Sequence, residues 1–173
     1  MGPVVYLNSN NGSSTLAFGA GPIIKLNVGN AFERLSHFLD EHNGFYCFGF
    51  LSYDLKNEIE DLESNNTDYI KFPDLFFFRP KFVVSINGEN ISYSQGTPTK
   101  ESNAFVKAFL NPKQNTPKNH IALKPLQSKD EYLNTINTLK NHLQQGDIYE
   151  ITYCQGFLAE NVTLNPLATY FKL

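Results

Sequence analysis

Carboxylates, imidazoles, one strand-end serine and a short glycine run are the groups in this sequence with chemistry to offer. The segment Glu58-Ile59-Glu60-Asp61-Leu62-Glu63 holds four carboxylates in six residues. Paired carboxylates do acid and base work when burial or a partner splits their pKa values, and a run this dense in charge reads instead as a solvated loop. His37, His42, His120 and His142 lack metal-ligand spacing and a nearby third ligand, so surface positions are expected. Ser9 follows an apolar strand, with no Gly-x-Ser-x-Gly elbow and no identifiable histidine partner. Its hydroxyl is expected to hydrogen-bond a small ligand or a neighbouring turn rather than to attack a substrate. Gly19-Ala20-Gly21-Pro22 has two glycines of a phosphate-cradling loop but neither the third glycine nor the following helix, which makes it a turn between strands.

The elements that would position these groups follow from periodicity and turn chemistry. Val4 to Leu7 and Thr15 to Phe18 read as short strands. A helix runs to about Glu41, with Asn30 and Glu33 placed for a capping box and Phe32, Leu35, Phe38 and Leu39 at helical spacing. Asn43-Gly44 ends it. Phe45 to Tyr53 is almost continuously apolar or aromatic, the pattern of a strand buried on both faces. Phe82 to Ile86 and Ile91 to Ser94 flank Asn87-Gly88, a tight hairpin signal. A second helix is expected from about Asn103 to Leu110. The polar, proline-broken stretch after it divides the chain into residues 1–110, a connector over 111–127, and residues 128–173. In the last region Ser128 and Glu131 form a capping box ahead of the stripe Tyr132, Leu133, Ile136, Leu139 and Leu143, and Gly146 stops that helix. Ile148 to Leu158 reads as a strand, so helix and strand together are expected to be buried scaffold. Asn165-Pro166 opens a further helix. Leu167, Tyr170 and Phe171 in it would face a core that the remaining residues do not supply, so Leu173 is expected to be a partial end.

Length and composition set bounds. With 173 residues, 41% hydrophobic and 18% charged, the chain has the makeup of a globular protein with a sizeable core. A net charge of −3, spread over both signs, offers no footprint for nucleic acid or an anionic membrane surface. No apolar run approaches the roughly 20 residues that span a bilayer, and no basic leader precedes Val4, so a cytoplasmic location is expected. Cys47 and Cys154 stand apart without zinc spacing or disulfide density and are expected to be reduced and structural.

Three stretches, in order, resemble the component I family of anthranilate and para-aminobenzoate (aminodeoxychorismate) synthases. Gly146-Asp147-Ile148-Tyr149-Glu150-Ile151-Thr152-Tyr153 is similar to the family's GDIYQVN-type segment near the start of its chorismate-binding region. Gly49-Phe50-Leu51-Ser52-Tyr53-Asp54-Leu55, with Ile59-Glu60 beyond it, is similar to its GYLSYDL…E segment. Tyr6-Leu7-Asn8-Ser9 stands where the family carries a Leu-Leu-Glu-Ser-like strand end. Two positions depart: Asn8 replaces the usual glutamate, and Glu150 a commoner glutamine.

The resemblance implies an α+β fold with antiparallel sheets in a layered α/β/β/α sandwich, of which this chain is the N-terminal part. It implies a parent enzyme that aminates chorismate with ammonia from a glutamine amidotransferase subunit, using Mg²⁺. The product is expected to be 4-amino-4-deoxychorismate, for para-aminobenzoate and folate; anthranilate is the enzyme alternative. A non-catalytic small-ligand or subunit-docking module is the alternative for the chain by itself. The family's catalytic and metal-binding residues have no counterpart in the quoted motifs, so no catalytic or metal residue is assigned and the isolated chain is expected to be inactive. Leu7, Asn8 and Ser9 are the candidate amino-acid pocket, with tryptophan as the amino acid to test. Loss of the glutamate at Asn8 removes a partner for its ammonium group. Tyr53, Asp54, Gly146, Asp147 and Glu150 are expected to serve as scaffold.

Overall fold

The computed structural model describes residues 2–27, 29–63, 65, 67–111 and 121–172. They fall into two compact units, Met1–Asn111 and Pro112–Leu173, each treated by itself. His120 and residues 112–120 of the predicted connector lie outside the described residues.

The first unit holds two antiparallel sheets. Strands β1 (Val4–Asn8), β2 (Ser13–Phe18), β6 (Phe82–Asn87) and β7 (Asn90–Gln95) lie in the order β1-β2-β6-β7. Strands β3 (Ile23–Leu26), β4 (Phe48–Leu51) and β5 (Leu75–Phe78) lie in the order β3-β5-β4. Helix α2 (Lys100–Leu110) closes one face of the first sheet, where Leu16, Phe18, Phe82, Val84, Ile86 and Val106 make a core. Helix α1 (Ala31–Glu41) and the 3₁₀ helix Tyr53–Glu58 close one face of the second over Leu26, Ala31, Leu35, Leu55 and Leu75. Successive strand residues point to opposite faces, and Ala17, Val83 and Phe78, on the faces away from these helices, are buried as well. The class is α+β, with helices and antiparallel sheets whose strands β2, β6 and β5 bury residues on both faces.

In the first unit local signals set most boundaries, with four differences. The hairpin turn is Gly88-Glu89, one residue later than expected, because Asn87 pairs with Asn90 and only Gly88 adopts a positive φ, +58°. Helix α2 starts at Lys100 rather than Asn103, since Thr99 and Ser102 cap each other reciprocally. The apolar run Phe45–Tyr53 yields a strand only over Phe48–Leu51. It is an edge strand bonded to β5 alone, so Phe50 and Leu51 keep an open side. Asn30 does not cap α1; it sits in the left-handed region (φ +55°) with no side-chain cap bond.

In the second unit, α3 (Lys129–Gln145) begins at the expected box. Ser128 Oγ accepts the Glu131 N–H at 3.2 Å while Glu131 Oε2 accepts the Ser128 N–H at 2.8 Å. The helix ends at Gly146, left-handed at φ +82°. Its apolar stripe is not buried: Leu133 is 45% and Leu143 37% exposed, and no α3 residue is fully covered. Leu139→Ala in this chain is therefore expected to cost less than the about 2–5 kcal/mol of a core leucine, measured by chemical unfolding. The expected strand Ile148–Leu158 is reduced to β9 (Phe157–Leu158), paired with β8 (Lys124–Pro125). A strand needs a ladder partner, and the described residues supply one only for those two positions. The last helix, α4 (Pro166–Tyr170), is capped by Asn165 Oδ1, which accepts the Ala168 N–H at 3.0 Å.

The Glu131 carboxyl lies below the ordinary glutamate range because the Ser128 hydroxyl and backbone N–H donate to it. A lowered folded value means that the box is complete above the unfolded glutamate pKa and is lost as pH falls through the folded one. An NMR titration of Glu131 is expected to give a midpoint below that of an unfolded-peptide glutamate. Amide protection in the first turn of α3 is expected to decline over the same acidic window.

Candidate functional site

Leu7 and Asn8 close β1 and Ser9 follows it, all three exposed. Ser9 Oγ lies 2.5 Å from Asn11 Oδ1, 2.6 Å from the Ser13 carbonyl and 2.6 Å from Ser13 Oγ. Asn8 Oδ1 accepts the Asn10 N–H at 3.1 Å, and Asn10 itself takes φ +58°. Both polar side chains thus organise the β1–β2 turn, the local bonding that short polar residues favour.

The Gly49–Leu55 segment runs from β4 into the 3₁₀ helix. Ser52 joins it to the start of β5: its N–H donates to the Asp74 carbonyl at 2.7 Å and its hydroxyl to Asp74 Oδ1 at 3.0 Å. Tyr53 is 83% exposed, with the Lys56 ammonium 5.1 Å from its ring centre, and Asp54 Oδ1 lies 3.6 Å from Lys56 Nζ. Leu55, next to them, is core. Tyr53 and Asp54 therefore sit on the outside of a turn whose inward residue anchors it.

The acidic run holds a capping carboxylate that composition hid. Glu58 is half-buried and accepts backbone N–H groups of Gly29 and Ala31, the latter at 3.1 and 2.9 Å to its two oxygens. It supplies the cap that Asn30 does not, placing negative charge at the positive end of α1. Glu58→Ala is expected to destabilise the first unit by about 1.5–3 kcal/mol, the range for hydrogen bonds to a charged group. Glu58→Gln, which keeps one acceptor oxygen, should recover part of that. An unchanged urea midpoint for Glu58→Ala would remove this role. No local sequence signal marks the contact, because the partners are 27 and 29 residues apart.

In the second unit, Gly146-Asp147 forms the exit from α3. The Asp147 N–H donates to the His142 carbonyl at 3.0 Å and Asp147 Oδ2 meets His142 Nδ1 at 2.7 Å. Glu150 is exposed and neighbouring Tyr149 is 98% exposed; neither lies on a strand. The segment regains order through Gln127, which takes the Tyr153 hydroxyl on its Oε1 at 2.7 Å and the Gln155 Nε2 donor on its carbonyl at 2.8 Å. Among the described residues no donor reaches the buried Gln155 Oε1, an atom that residue type alone gave no reason to single out.

The remaining sequence candidates are structural. His37 pairs with Glu41 at 3.3 Å, and His42 Nδ1 meets the Phe38 carbonyl at 2.7 Å. Gly19-Ala20-Gly21-Pro22 is the turn from β2 to β3. Cys47 and Cys154 are free; Cys47 is half-buried, which raises its thiol pKa, while Cys154 is exposed. Among the described residues no three His, Cys, Asp or Glu side chains gather as a metal cage. Among the described residues no such group is available to cage Mg²⁺. No helix among the described residues is long and apolar enough to cross a membrane.

The family model described as chorismate binding enzyme matches residues 2–173. The chain belongs to that family of chorismate-using enzymes, and its quoted segments correspond to the family's N-terminal portion. No individual curated protein matches it.

Proposed function

We propose that the chain is the N-terminal part of aminodeoxychorismate synthase component I. The enzyme exchanges the C4 hydroxyl of chorismate for an amino group, releasing water, with ammonia supplied by a glutamine amidotransferase subunit. Membership of the chorismate-using family supports the substrate. The turn at the end of β1 supports the branch: Asn8 stands where a carboxylate would receive an amino acid's ammonium group, and its oxygen is engaged by the Asn10 N–H. An amide in that position has neither the charge nor a free geometry for the pairing. Leu7 and Ser9 remain the residues to probe for an amino-acid pocket. In this reading residues other than those described would hold Mg²⁺, and the ion would supply stabilisation of the departing oxygen.

The test is product analysis with the complete enzyme, chorismate, ammonium and Mg²⁺. Aminodeoxychorismate is expected, and anthranilate, seen directly by its fluorescence, would overturn the assignment of branch. Tryptophan is expected to leave the rate unchanged. Inhibition that Asn8→Glu does not strengthen and Ser9→Ala does not relieve would remove the β1 turn from any account of regulation.

A further inference from the structure

At the Val4 end of β1, opposite Ser9, the first unit carries a recess of about 400 Å³ lined by Phe18, Phe82, Phe105, Lys81, Glu101 and Ser102, among others. Its volume is in the range of small-molecule sites. Its floor is aromatic and well packed: the Phe18 and Phe105 rings are 4.4 Å apart between centres, Phe18 and Phe82 5.2 Å, and Phe18 and Phe82 are buried. Lys81 stands at the rim with Nζ 5.4 Å from the centre of the Phe82 ring, and among the described residues no carboxylate pairs with it.

Two turns hold Lys81 in place. A Cβ on Gly19 (φ +94°) would come within 2.9 Å of Lys81 Cβ, and one on Gly96 (φ +81°) within 2.4 Å of the Lys81 carbonyl. Both backbones pack directly against it, and both require the left-handed conformation that glycine adopts without strain. The 11-residue helix α2 adds the positive end of its dipole, since its Thr99 cap and first-turn Glu101 and Ser102 also line the recess. Glu101 opposes this. Its own backbone N–H and the Thr99 hydroxyl hold its carboxyl below the usual range, so it is negative at neutral pH, but those donors already engage it. Among the described residues the Lys81 ammonium has the Phe82 ring beneath it and no carboxylate partner.

We propose that this recess binds a small aromatic carboxylate, its ring against Phe18 and Phe105 and its carboxylate against Lys81 Nζ. An aromatic ligand satisfies the floor through offset or edge contacts, and the charge-assisted bond to lysine orients it. The site is independent of the β1 turn at Ser9 and of the branch assigned above, and binding rather than turnover reads it.

The experiment is an amide NMR titration of the full chain with sodium benzoate, alongside sodium acetate and benzylamine. Saturable shifts at Phe18, Lys81, Phe82, Ser102 and Phe105 are expected with benzoate and not with the other two. Lys81→Met should weaken benzoate at least about tenfold, or 1.4 kcal/mol. Glu101→Gln, which removes the opposing charge, should tighten it, and Lys107→Met, on the same helix but outside the recess, should leave it unchanged. Near-native spectra of each variant establish that it folds. Benzoate shifts that stay linear and unsaturated, or binding indifferent to Lys81→Met in a folded variant, would overturn the proposal, as would benzylamine binding at the same residues.

Discussion

Phe78→Ala is expected to cost about 3–5 kcal/mol, a large fraction of the about 5–15 kcal/mol that keeps a domain folded. Phe78 is fully buried on β5, the central strand of its sheet, with β3 on one side and β4 on the other. Its ring points away from the Leu26–Leu35–Leu55–Leu75 core and lies 6.1 Å from Phe76 between centres. Removing it opens a cavity in the layer on the face of the sheet away from the helices, where neighbours on three strands are fixed by hydrogen bonds and relax poorly. The more conservative Phe78→Leu should lose far less, because it fills most of the volume. Urea unfolding of both variants checks the pair. Similar midpoints for Phe78→Ala and the unsubstituted chain would mean that the layer is not packed as described.

How much was legible depended on whether the cause of a feature was local. Ser128 with Glu131, Gly146, and Asn165 ahead of Pro166 act within four residues of themselves, and each stands where periodicity and capping chemistry placed it. Asn30 failed for the opposite reason. The donors at the start of α1 are met by Glu58, brought there by the 3₁₀ helix, and a capping box at Asn30 and Glu33 was a weaker competitor. The apolar run at Phe45–Tyr53 misled because aromatic residues describe a surface to be covered, not the number of ladder partners a strand obtains. The same holds for Ile148–Leu158, whose alternation has no neighbouring strand among the described residues over most of its length. Of the candidate site, the motif residues were named from their order along the chain. The aromatic recess under Lys81 was not, because Phe18, Lys81 and Phe105 converge only through the pairing of β2 with β6 and the packing of α2.

Gly49→Ala is expected to be as damaging as removing a core ring, although it adds one methyl group. Gly49 lies opposite Phe77 in the β4–β5 pair, and a Cβ there would stand 2.0 Å from the Phe76 carbonyl oxygen and 2.5 Å from the Phe77 ring. The first of these is backbone, which cannot swing aside as a flexible side chain does. Relief requires β4 to separate from β5, breaking edge-strand bonds and withdrawing the Ser52–Asp74 link that leads into the 3₁₀ helix. That helix carries Leu55 into the core and Glu58 to the start of α1, so the disturbance spreads to two elements distant in sequence. A loss of several kcal/mol is expected, in the upper range for overpacked sites. Because Gly49 opens the Gly49–Leu55 family segment, activity lost on its substitution invites a catalytic explanation, and the structure assigns a steric one. The two separate experimentally in the complete enzyme: the steric account expects a lowered unfolding midpoint and reduced soluble yield, with near-normal turnover per folded molecule at low temperature. A Gly49→Ala enzyme that keeps its melting temperature but loses turnover would move this glycine from the scaffold to the reaction.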